Sequence, residues 1–208
     1  MFDKGNSARA AILALDGTHH DLSLDGGLAF QPLRDIADTA ERSWAAEWIA
    51  TLLAHENLVL TPEVKEMVWS ALNSLASAPA GERTLTGLSV LLQSNALKSA
   101  LQGYTLEGPF GRLLDAAEDQ LALSDIQCFE TEGLLHQTGV VLPVLTYLFH
   151  RLEARFAGRP TLLILDEAWV YLDNPAFAAR IREWLKVLRK KNVSVIFATQ
   201  SLADIANS

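Results

Sequence analysis

Two adjacent carboxylates, Asp166 and Glu167, directly follow an apolar segment in the last quarter of the chain. The run from Thr161 to Leu165 predicts a strand that is buried on both faces of a parallel sheet. An Asp at the end of such a strand can order a hydrated Mg²⁺ beside phosphates, and a neighbouring carboxylate can polarise an attacking water. The pair therefore predicts nucleotide-hydrolysis chemistry. Acidic residues at a helix N-terminus are the alternative, which explains Glu167 better than Asp166.

Polar residues also end two other predicted strands. Asp3 and Lys4 follow the apolar start of the chain, and Thr199 and Gln200 follow the strand-like run 193–198. Because parallel strands end at the same edge of a sheet, we expect all of these groups to face one rim, where open α/β sheets bind ligands. Gln200 carries both a donor and an acceptor, which suits contact with a γ-phosphate or with the attacking water.

Alternating strands and helices must position these groups. The sequence predicts strands over residues 20–24, 126–130, 161–165 and 193–198, and helices over residues 7–15, 140–156 and 173–190. This order is typical of a parallel sheet with right-handed crossovers. We therefore predict an α/β fold for this part of the chain.

The middle of the chain has a different pattern. Trp44 and Trp48 lie at helical spacing within an apolar stripe, which favours a helix–helix core over a base-stacking platform. Further helix starts and short helical segments follow, without a clear strand. We predict that residues 35–121 form an all-helical insertion, and that residues 1–34 together with 122–208 form the α/β core.

Composition restricts the class of protein. The net charge of −8 argues against a mainly electrostatic nucleic-acid binder, because phosphate contacts need a basic surface. Cys128 is the single cysteine, so no intramolecular disulfide can form, which suits a reducing compartment. We find no apolar run of about 18 residues and no hydrophobic signal core. These features predict a soluble cytoplasmic protein.

Several segments together resemble a known family. They are FDKGNSA, LAFQPL, WAAEWI, VLPVLTYLFHRLE, LLILDEAW, IREWLKVLRKKN and VIFATQSLAD. In this order they resemble the TrbE conjugal-transfer ATPases of the CagE/TrbE/VirB family, which are P-loop motors of type IV secretion systems. The resemblance covers essentially the whole chain, and the Asp-Glu and Ala-Thr-Gln-Ser segments are its most specific parts. It implies a RecA-like P-loop fold with ATP and Mg²⁺ as cofactors.

The resemblance also implies roles for individual residues. Asp166 and Glu167 would be the Walker B pair, with Asp166 holding Mg²⁺ through water and Glu167 activating the attacking water. Gln200 would be the polar sensor of the following strand, and Thr199 would lie beside the nucleotide. Asp3 and its neighbour Lys4 would lie at the end of the strand next to the phosphate-loop strand.

One motif of the family is absent. No glycine of this chain begins the phosphate-binding pattern G-x-x-x-x-G-K-[ST]. The resemblance places that loop upstream of Phe2, so we expect this chain to be an internal piece of a motor. Without loop amides and the loop lysine to hold phosphates, ATP affinity should be very weak. We therefore expect that the chain alone does not hydrolyse ATP.

A predicted helix near the end of the chain is basic. Between residues 180 and 191 it carries Arg180, Arg182, Lys186, Arg189, Lys190 and Lys191. Arg189 or Lys190 could reach a nucleotide on a neighbouring subunit, as arginine fingers do. A surface that faces DNA or protein is a second interpretation. A solvated polar face, with cations favourably placed at the helix C-terminus, is the third.

Other candidate residues give weaker signals. His19 and His20 would point to opposite faces of a strand, so they cannot ligate one metal ion together. Cys128 lies in an apolar strand and is expected to be inert. Glu130 and Glu132 come just after that strand and could face the same rim as Asp166.

The function predicted from these residues is that of a partial type IV secretion ATPase, which would couple ATP hydrolysis to pilus assembly and substrate translocation. Its expected partners are further copies in a ring such as a hexamer, other secretion components, and the inner membrane as a peripheral contact. Two alternatives stay open: a non-catalytic interaction module of the secretion apparatus, and a DNA-pumping coupling-protein ATPase, whose DNA binding would be steeply salt-dependent.

Overall fold

The strands form one five-stranded sheet in the order β2-β3-β1-β4-β5, and every neighbouring pair is parallel. The chain is seen in a computed structural model that describes residues 1–167 and 175–199. The strands are β1 Phe2–Asp3, β2 Thr18–Asp21, β3 Gln127–Glu130, β4 Thr161–Leu165 and β5 Val193–Phe197. The all-parallel sheet confirms the predicted α/β fold class.

Nine α-helices lie in the described ranges. They are α1 Arg9–Ala14, α2 Thr39–His55, α3 Pro62–Leu75, α4 Leu85–Leu91, α5 Asn95–Leu101, α6 Gly111–Leu114, α7 Glu132–Leu135, α8 Val141–Arg155 and α9 Pro175–Lys190. Two 3₁₀ turns, Ala80–Glu82 and Gln102–Tyr104, connect helices in the middle of the chain. The predicted cap of α9 at Asp173 and Asn174 lies outside the described residues.

The chain divides into two compact units. Unit 1 contains residues 1–26, 123–138 and 148–208, and includes the whole sheet; unit 2 contains residues 27–122 and 139–147. In unit 2 the regular elements are helical. The predicted division into a core of 1–34 and 122–208 with a helical insertion of 35–121 stays a prediction about domains.

Local sequence explains why the helices of unit 2 begin where they do. Asp38 caps α2 by accepting hydrogen bonds from the backbone N–H groups of Ala40, at 2.7 Å, and Glu41, at 3.2 Å. The Thr61 hydroxyl caps α3 by accepting the N–H of Val64 at 3.3 Å. Side-chain caps satisfy N–H groups that a helix leaves unpaired at its first turn. Capping residues thus fix the starts of the two longest helices of this unit.

An aromatic cluster fills the core of unit 1. The rings of Phe2 on β1 and Phe129 on β3 stack with centroids 5.1 Å apart, and Phe149 of α8 lies 5.1 Å from Phe2 on the same side of the sheet. Trp184 of α9 packs on Phe149 at 4.3 Å. Helices α8 and α9 therefore cover one face of the sheet, which fixes the positions of the central strands.

The prediction that β4 is buried on both faces was wrong. Leu163 and Leu165 are 5% and 1% exposed, but Leu162, which points to the other face, is 55% exposed. Alternate residues of a strand face opposite sides of the sheet. Among the described residues, packing over β4 is therefore complete only on the side of α8 and α9.

The first part of the sheet also differs in detail from expectation. Strand β2 covers Thr18–Asp21 rather than residues 20–24, because its pairing with β3 begins at Thr18 opposite Gln127. The alternation of apolar residues that suggested a later strand is weak, and pairing to the neighbouring strand determined the register.

Candidate site at the carboxyl edge of the sheet

Three polar residues meet at the carboxyl ends of neighbouring strands. Asp3 ends β1, Asp166 directly follows β4, and Thr199 follows β5 by two residues. The N–H of Asp166 donates to the carbonyl of Phe2 at 3.0 Å, which ties the end of β4 to β1. The N–H of Ala198 donates to the carbonyl of Leu165 at 3.0 Å. These bonds place the polar ends of the three strands at one rim, as expected from parallel pairing.

Asp166 lies at this rim in a partly buried position. Desolvation raises the pKa of its carboxyl group, and the nearby carboxylates of Asp3, Glu167 and Glu130 raise it further, while a hydrogen bond with the backbone of Glu167 acts in the opposite direction. Negative charges repel the ionised form of Asp166, so the rim favours a bound cation or proton there. This electrostatic setting fits the predicted contact with hydrated Mg²⁺.

Glu167 has an unusual backbone. Its φ is +50°, in the left-handed region that residues with a side chain seldom adopt, and its side chain is 8% exposed. Such conformations cost of order 1–3 kcal/mol and cluster at functional sites, because the surrounding structure must hold them in place. The chain therefore holds Glu167 at the end of β4 against a local conformational preference.

Gln200, the predicted polar sensor, lies outside the described residues. Thr199 precedes it and is half-buried at the rim. Lys4, which follows Asp3, is likewise half-buried at this edge. The structure thus brings together Asp166, Glu167 and Thr199, and the roles proposed for them stay predictions.

Asp3 is committed to the start of α1. Its side chain is fully buried and accepts a hydrogen bond from the N–H of Ala8 at 3.0 Å and another from the Ser7 hydroxyl. Its backbone carbonyl accepts from the N–H and the hydroxyl of Thr131, at 2.9 and 2.7 Å. Asp3 therefore stabilises the turn after β1 and influences Asp166 through its charge.

Glu130 does lie at this rim, but it is bound to its own chain. Its carboxylate accepts the N–H groups of Gly5 at 3.1 Å, Asn6 at 2.5 Å and Glu132 at 2.9 Å. Gly5 and Asn6 both have positive φ, 82° and 56°, so two consecutive amides point towards one anion. Sequence reasoning missed this loop, although the Gly-Asn pair is a turn signal that could have indicated it. Glu132 itself is exposed at the start of α7.

Arg189 and Lys190 lie at the opposite edge of the sheet. They occupy the last turn of α9, which ends just before β5 begins, and both are exposed. The length of a five-residue strand, about 16 Å, separates that edge from the rim that carries Asp166. Within one copy of the chain these cations therefore do not join the candidate site, and only their predicted role on a neighbouring subunit stays open.

The chemistry of the rim can be tested against the predicted cofactors. Mg²⁺ keeps several waters and binds through one or two carboxylates together with phosphates, so Asp166 with its adjacent Thr199 hydroxyl fits a water-mediated contact. Within residues 1–167 and 175–199, no group of three or more His, Cys, Asp and Glu side chains is arranged to hold a metal ion. The rim therefore fits a cation that arrives with a nucleotide better than a resident metal.

Two weaker candidates are structural. His20 is 6% exposed and stacks on Phe129 with ring centroids 5.0 Å apart. Burial raises the pKa of the Cys128 thiol to about 11, and the charge of Asp3 adds to the effect, which confirms that this thiol is unreactive packing. Trp48 is fully buried in unit 2 and its indole N–H donates to the carbonyl of Pro143 at 3.0 Å, as expected for a helix–helix core residue.

A cavity of about 430 Å³ lies between α2 and α3 in unit 2. Its lining is mostly apolar and includes Leu53, Val64 and Trp69, with Glu47 and Lys65 as its charged members. None of the predicted site residues contacts it. No helix in the described parts of the chain is long and apolar enough to cross a membrane.

Comparison with known proteins agrees with the predicted resemblance. The conjugal transfer protein TrbE of Rhizobium radiobacter is 44% identical over 215 residues, which cover 100% of this chain and 26% of that protein. A probable conjugal transfer protein TrbE of Sinorhizobium fredii is 43% identical over 213 residues, covering 100% of this chain and 32% of that protein. The chain thus spans about a quarter to a third of the length of these relatives.

A solved structure shares the fold. VirB4 of Thermoanaerobacter pseudethanolicus superimposes with a TM-score of 0.70 at 19% identity, over 98% of this chain and 62% of that chain. This likeness confirms the predicted RecA-like α/β architecture. No family model matches the chain. Over its whole length, the chain is therefore related to a portion of the conjugal transfer protein TrbE, as its motifs predicted.

Proposed function

We propose that this chain supplies the Walker B half of an ATPase site in a conjugal-transfer motor of a type IV secretion system. The observation that carries the proposal is the meeting of Asp166, Glu167 and Thr199 at the carboxyl edge of adjacent parallel strands, in a chain 44% identical to a portion of a TrbE protein. Ligands of open α/β sheets bind at that edge.

Each residue has a distinct proposed role. Asp166 would hold the water shell of Mg²⁺, which neutralises phosphate charge when it is bound with ATP. Glu167 would accept a proton from the attacking water, and its buried position would exclude bulk water from that proton. Gln200 would contact the γ-phosphate, with Thr199 beside it. Arg189 or Lys190 would act on the nucleotide of a neighbouring subunit in a ring such as a hexamer.

The proposed work of the complete motor is pilus assembly and substrate translocation. It would act from the cytoplasm, with other secretion components as partners and a peripheral association with the inner membrane. The names of the relatives, which are conjugal transfer proteins, support this setting. The acidic balance of the chain, −8, favours contacts with proteins over DNA pumping.

An interaction module without turnover is the second candidate. It is favoured by the absence of the pattern G-x-x-x-x-G-K-[ST], since this chain has no loop lysine in that motif to hold phosphates. In this form the chain would bind partners of the secretion apparatus and leave hydrolysis to other chains.

A chimera distinguishes these functions. The R. radiobacter TrbE protein would carry this chain in place of its aligned region, and conjugal transfer and Mg²⁺-dependent ATP turnover would be measured. We expect an active chimera that loses at least about 100-fold in both measurements with Glu167→Gln, a change that removes only the proton acceptor. Glu132→Gln, an exposed acid on α7, is the matched control and should keep activity. Equal activity of the Glu167→Gln and Glu132→Gln chimeras would reject the catalytic proposal.

The isolated chain gives the complementary result. We expect no Mg²⁺-dependent release of phosphate from ATP by residues 1–208 alone. Turnover by the purified chain that Glu167→Gln abolishes would show that it holds phosphates by itself, and would overturn the expectation drawn from its missing loop.

A further inference from the structure

One face of the sheet is apolar and open over β4 and β5. Leu162 and Ile164 of β4 lie in register with Ser194 and Ile196 of β5, so these four side chains project from the same side. Leu162 is 55% exposed and Ile196 is 48% exposed, while Ile164 is half-buried. We call Leu162, Ile164 and Ile196 the open face. On the other side of the same strands, Leu163, Leu165 and Val193 are buried.

The same side of the sheet is closed elsewhere. Cys128 of β3 projects from the side of the open face, because its neighbour Phe129 is in register with Phe2, and Phe2 with the oppositely directed Leu165. Cys128 is fully buried, and α1 contacts both β2 and β3. Parallel sheets normally carry helices on both sides. Over β4 and β5, the described residues supply such a helix on one side only.

The edge beside this face is also unprotected. β5 is the last strand of the sheet, and its sequence VSVIF contains no charge, proline or glycine. Edge strands that face water usually carry such residues, which prevent pairing with another strand. Phe197, at the end of β5, is 36% exposed. The open face and the β5 edge therefore form one continuous apolar surface that can accept a strand and a helix together.

The comparisons indicate where a strand and a helix could come from. The relatives are three to four times as long as the region this chain matches, since the match covers 26% and 32% of them. The VirB4 chain with the same fold is matched over 62% of its length, so further polypeptide accompanies this fold there. We propose that the β5 edge and the open face dock an apolar strand and its amphipathic crossover helix from the remaining portion of a TrbE-type chain.

This inference rests on the proposed function for the identity of the partner, but its test does not use ATP. The TrbE chimera would be compared with residues 1–208 alone by amide hydrogen exchange. We expect the amides of β5 to exchange at least about tenfold more slowly in the chimera, because the edge N–H groups then donate to a docked strand. Equal exchange in the two proteins would overturn the proposal.

A pair of substitutions tests the open face directly. Ile196→Lys should barely change the melting temperature of residues 1–208, because the side chain is already half exposed, but should lower that of the chimera by several degrees. Val90→Lys on α4, where Val90 is 74% exposed, is the matched control and should leave both proteins unchanged. A similar effect of Ile196→Lys in both proteins would show that the open face is not a docking surface.

Co-expression covers the case of a chimera that does not fold. Tagged residues 1–208 would be co-expressed with the R. radiobacter protein from which the aligned region has been removed, and the complex recovered on the tag. We expect recovery that falls at least about tenfold with Ile196→Lys and is unchanged with Glu167→Gln. A dimer of residues 1–208 that Ile196→Lys abolishes would instead identify a second copy as the occupant and overturn the proposal.

Discussion

The Glu130 carboxylate accepts the backbone N–H of Asn6 at 2.5 Å and so joins residues 124 positions apart in the chain. It also accepts the N–H of Gly5, and both donors lie in the loop between β1 and α1. Glu130 and Asp3 are register partners at the ends of β3 and β1. A buried carboxylate that satisfies several backbone amides fixes a loop in one conformation. The rim near Asp166 is therefore shaped by a neighbour that does no chemistry itself.

Replacement of this carboxylate should destabilise unit 1. In Glu130→Gln an amide NH₂ takes the place of one accepting oxygen and faces a backbone N–H. We expect the free energy of unfolding to fall by about 1–3 kcal/mol. Urea denaturation followed by circular dichroism measures the change. Glu132→Gln, an exposed neighbour, should shift the free energy by less than about 0.5 kcal/mol. Equal effects of the two substitutions would contradict the role of the Glu130 bonds.

In unit 2, Asp115 should be equally important. This buried side chain accepts the N–H of Thr86 at 3.0 Å, the N–H of Leu106 at 2.8 Å and the Thr86 hydroxyl. Asp115→Asn places a donor against one of these donors, and we expect a loss of about 1–3 kcal/mol in the free energy of unfolding. Asp35→Asn, at an exposed position of the same unit, is the control. If urea titrations show no difference between the two, this network does not hold the short helices together.

His20 should make stability depend on pH. Burial lowers the pKa of its imidazole from 6.5, and a charge on neighbouring His19 lowers it further, while Gln127 acts in the opposite direction. The unfolded chain therefore takes up a proton at a higher pH than the folded chain. Stability from neutral His20 is fully present above about pH 6.5 and is lost as the pH falls below it, at up to about 1.4 kcal/mol per pH unit.

Denaturation at pH 7.5 and pH 5.5 would measure this effect. His20→Phe keeps the ring stacked on Phe129 and removes the titrating group, so its stability should change less between these two pH values than that of the wild type. His136→Phe alters an exposed histidine and should keep the wild-type difference. A pH difference that survives in His20→Phe would assign it to another group.

The backbone of Glu167 should cost stability. Its φ of +50° is strained for any residue with a Cβ atom. Glu167→Gly and Glu167→Ala both remove the carboxylate, but only Gly relieves the backbone. We expect the Gly variant to unfold with a free energy about 1 kcal/mol higher than that of the Ala variant. Thermal denaturation compares the two directly, and an Ala variant as stable as the Gly variant would show that the backbone is not strained there.

Cys128 should react only after unfolding. With a thiol pKa of about 11, fewer than about one molecule in a thousand carries a thiolate at pH 7.4, and the side chain is fully buried. We expect a disulfide reagent such as DTNB to label native protein at least about 1,000-fold more slowly than protein in 6 M guanidinium. Rapid labelling under native conditions would mean that β3 opens readily.

The sequence alone determined the fold class and the location of the chemistry. Apolar runs that end in polar residues identified β4 and β5, and parallel pairing then placed Asp166 and Thr199 at one edge, because strands that alternate with helices run in one direction. Caps such as Thr61 predicted helix starts, since a cap depends on residues within one turn of chain. These features are local or follow from chain order.

Tertiary structure decided what depends on contacts between distant segments. It committed Asp3 and Glu130 to the loop after β1, gave Glu167 its positive φ, and moved β2 to the register set by β3. It also showed Leu162 exposed on a strand whose composition predicted burial on both faces. Hydrophobic composition reports that a residue can be buried, but only the packing of other elements determines whether it is, because burial is a property of two surfaces in contact.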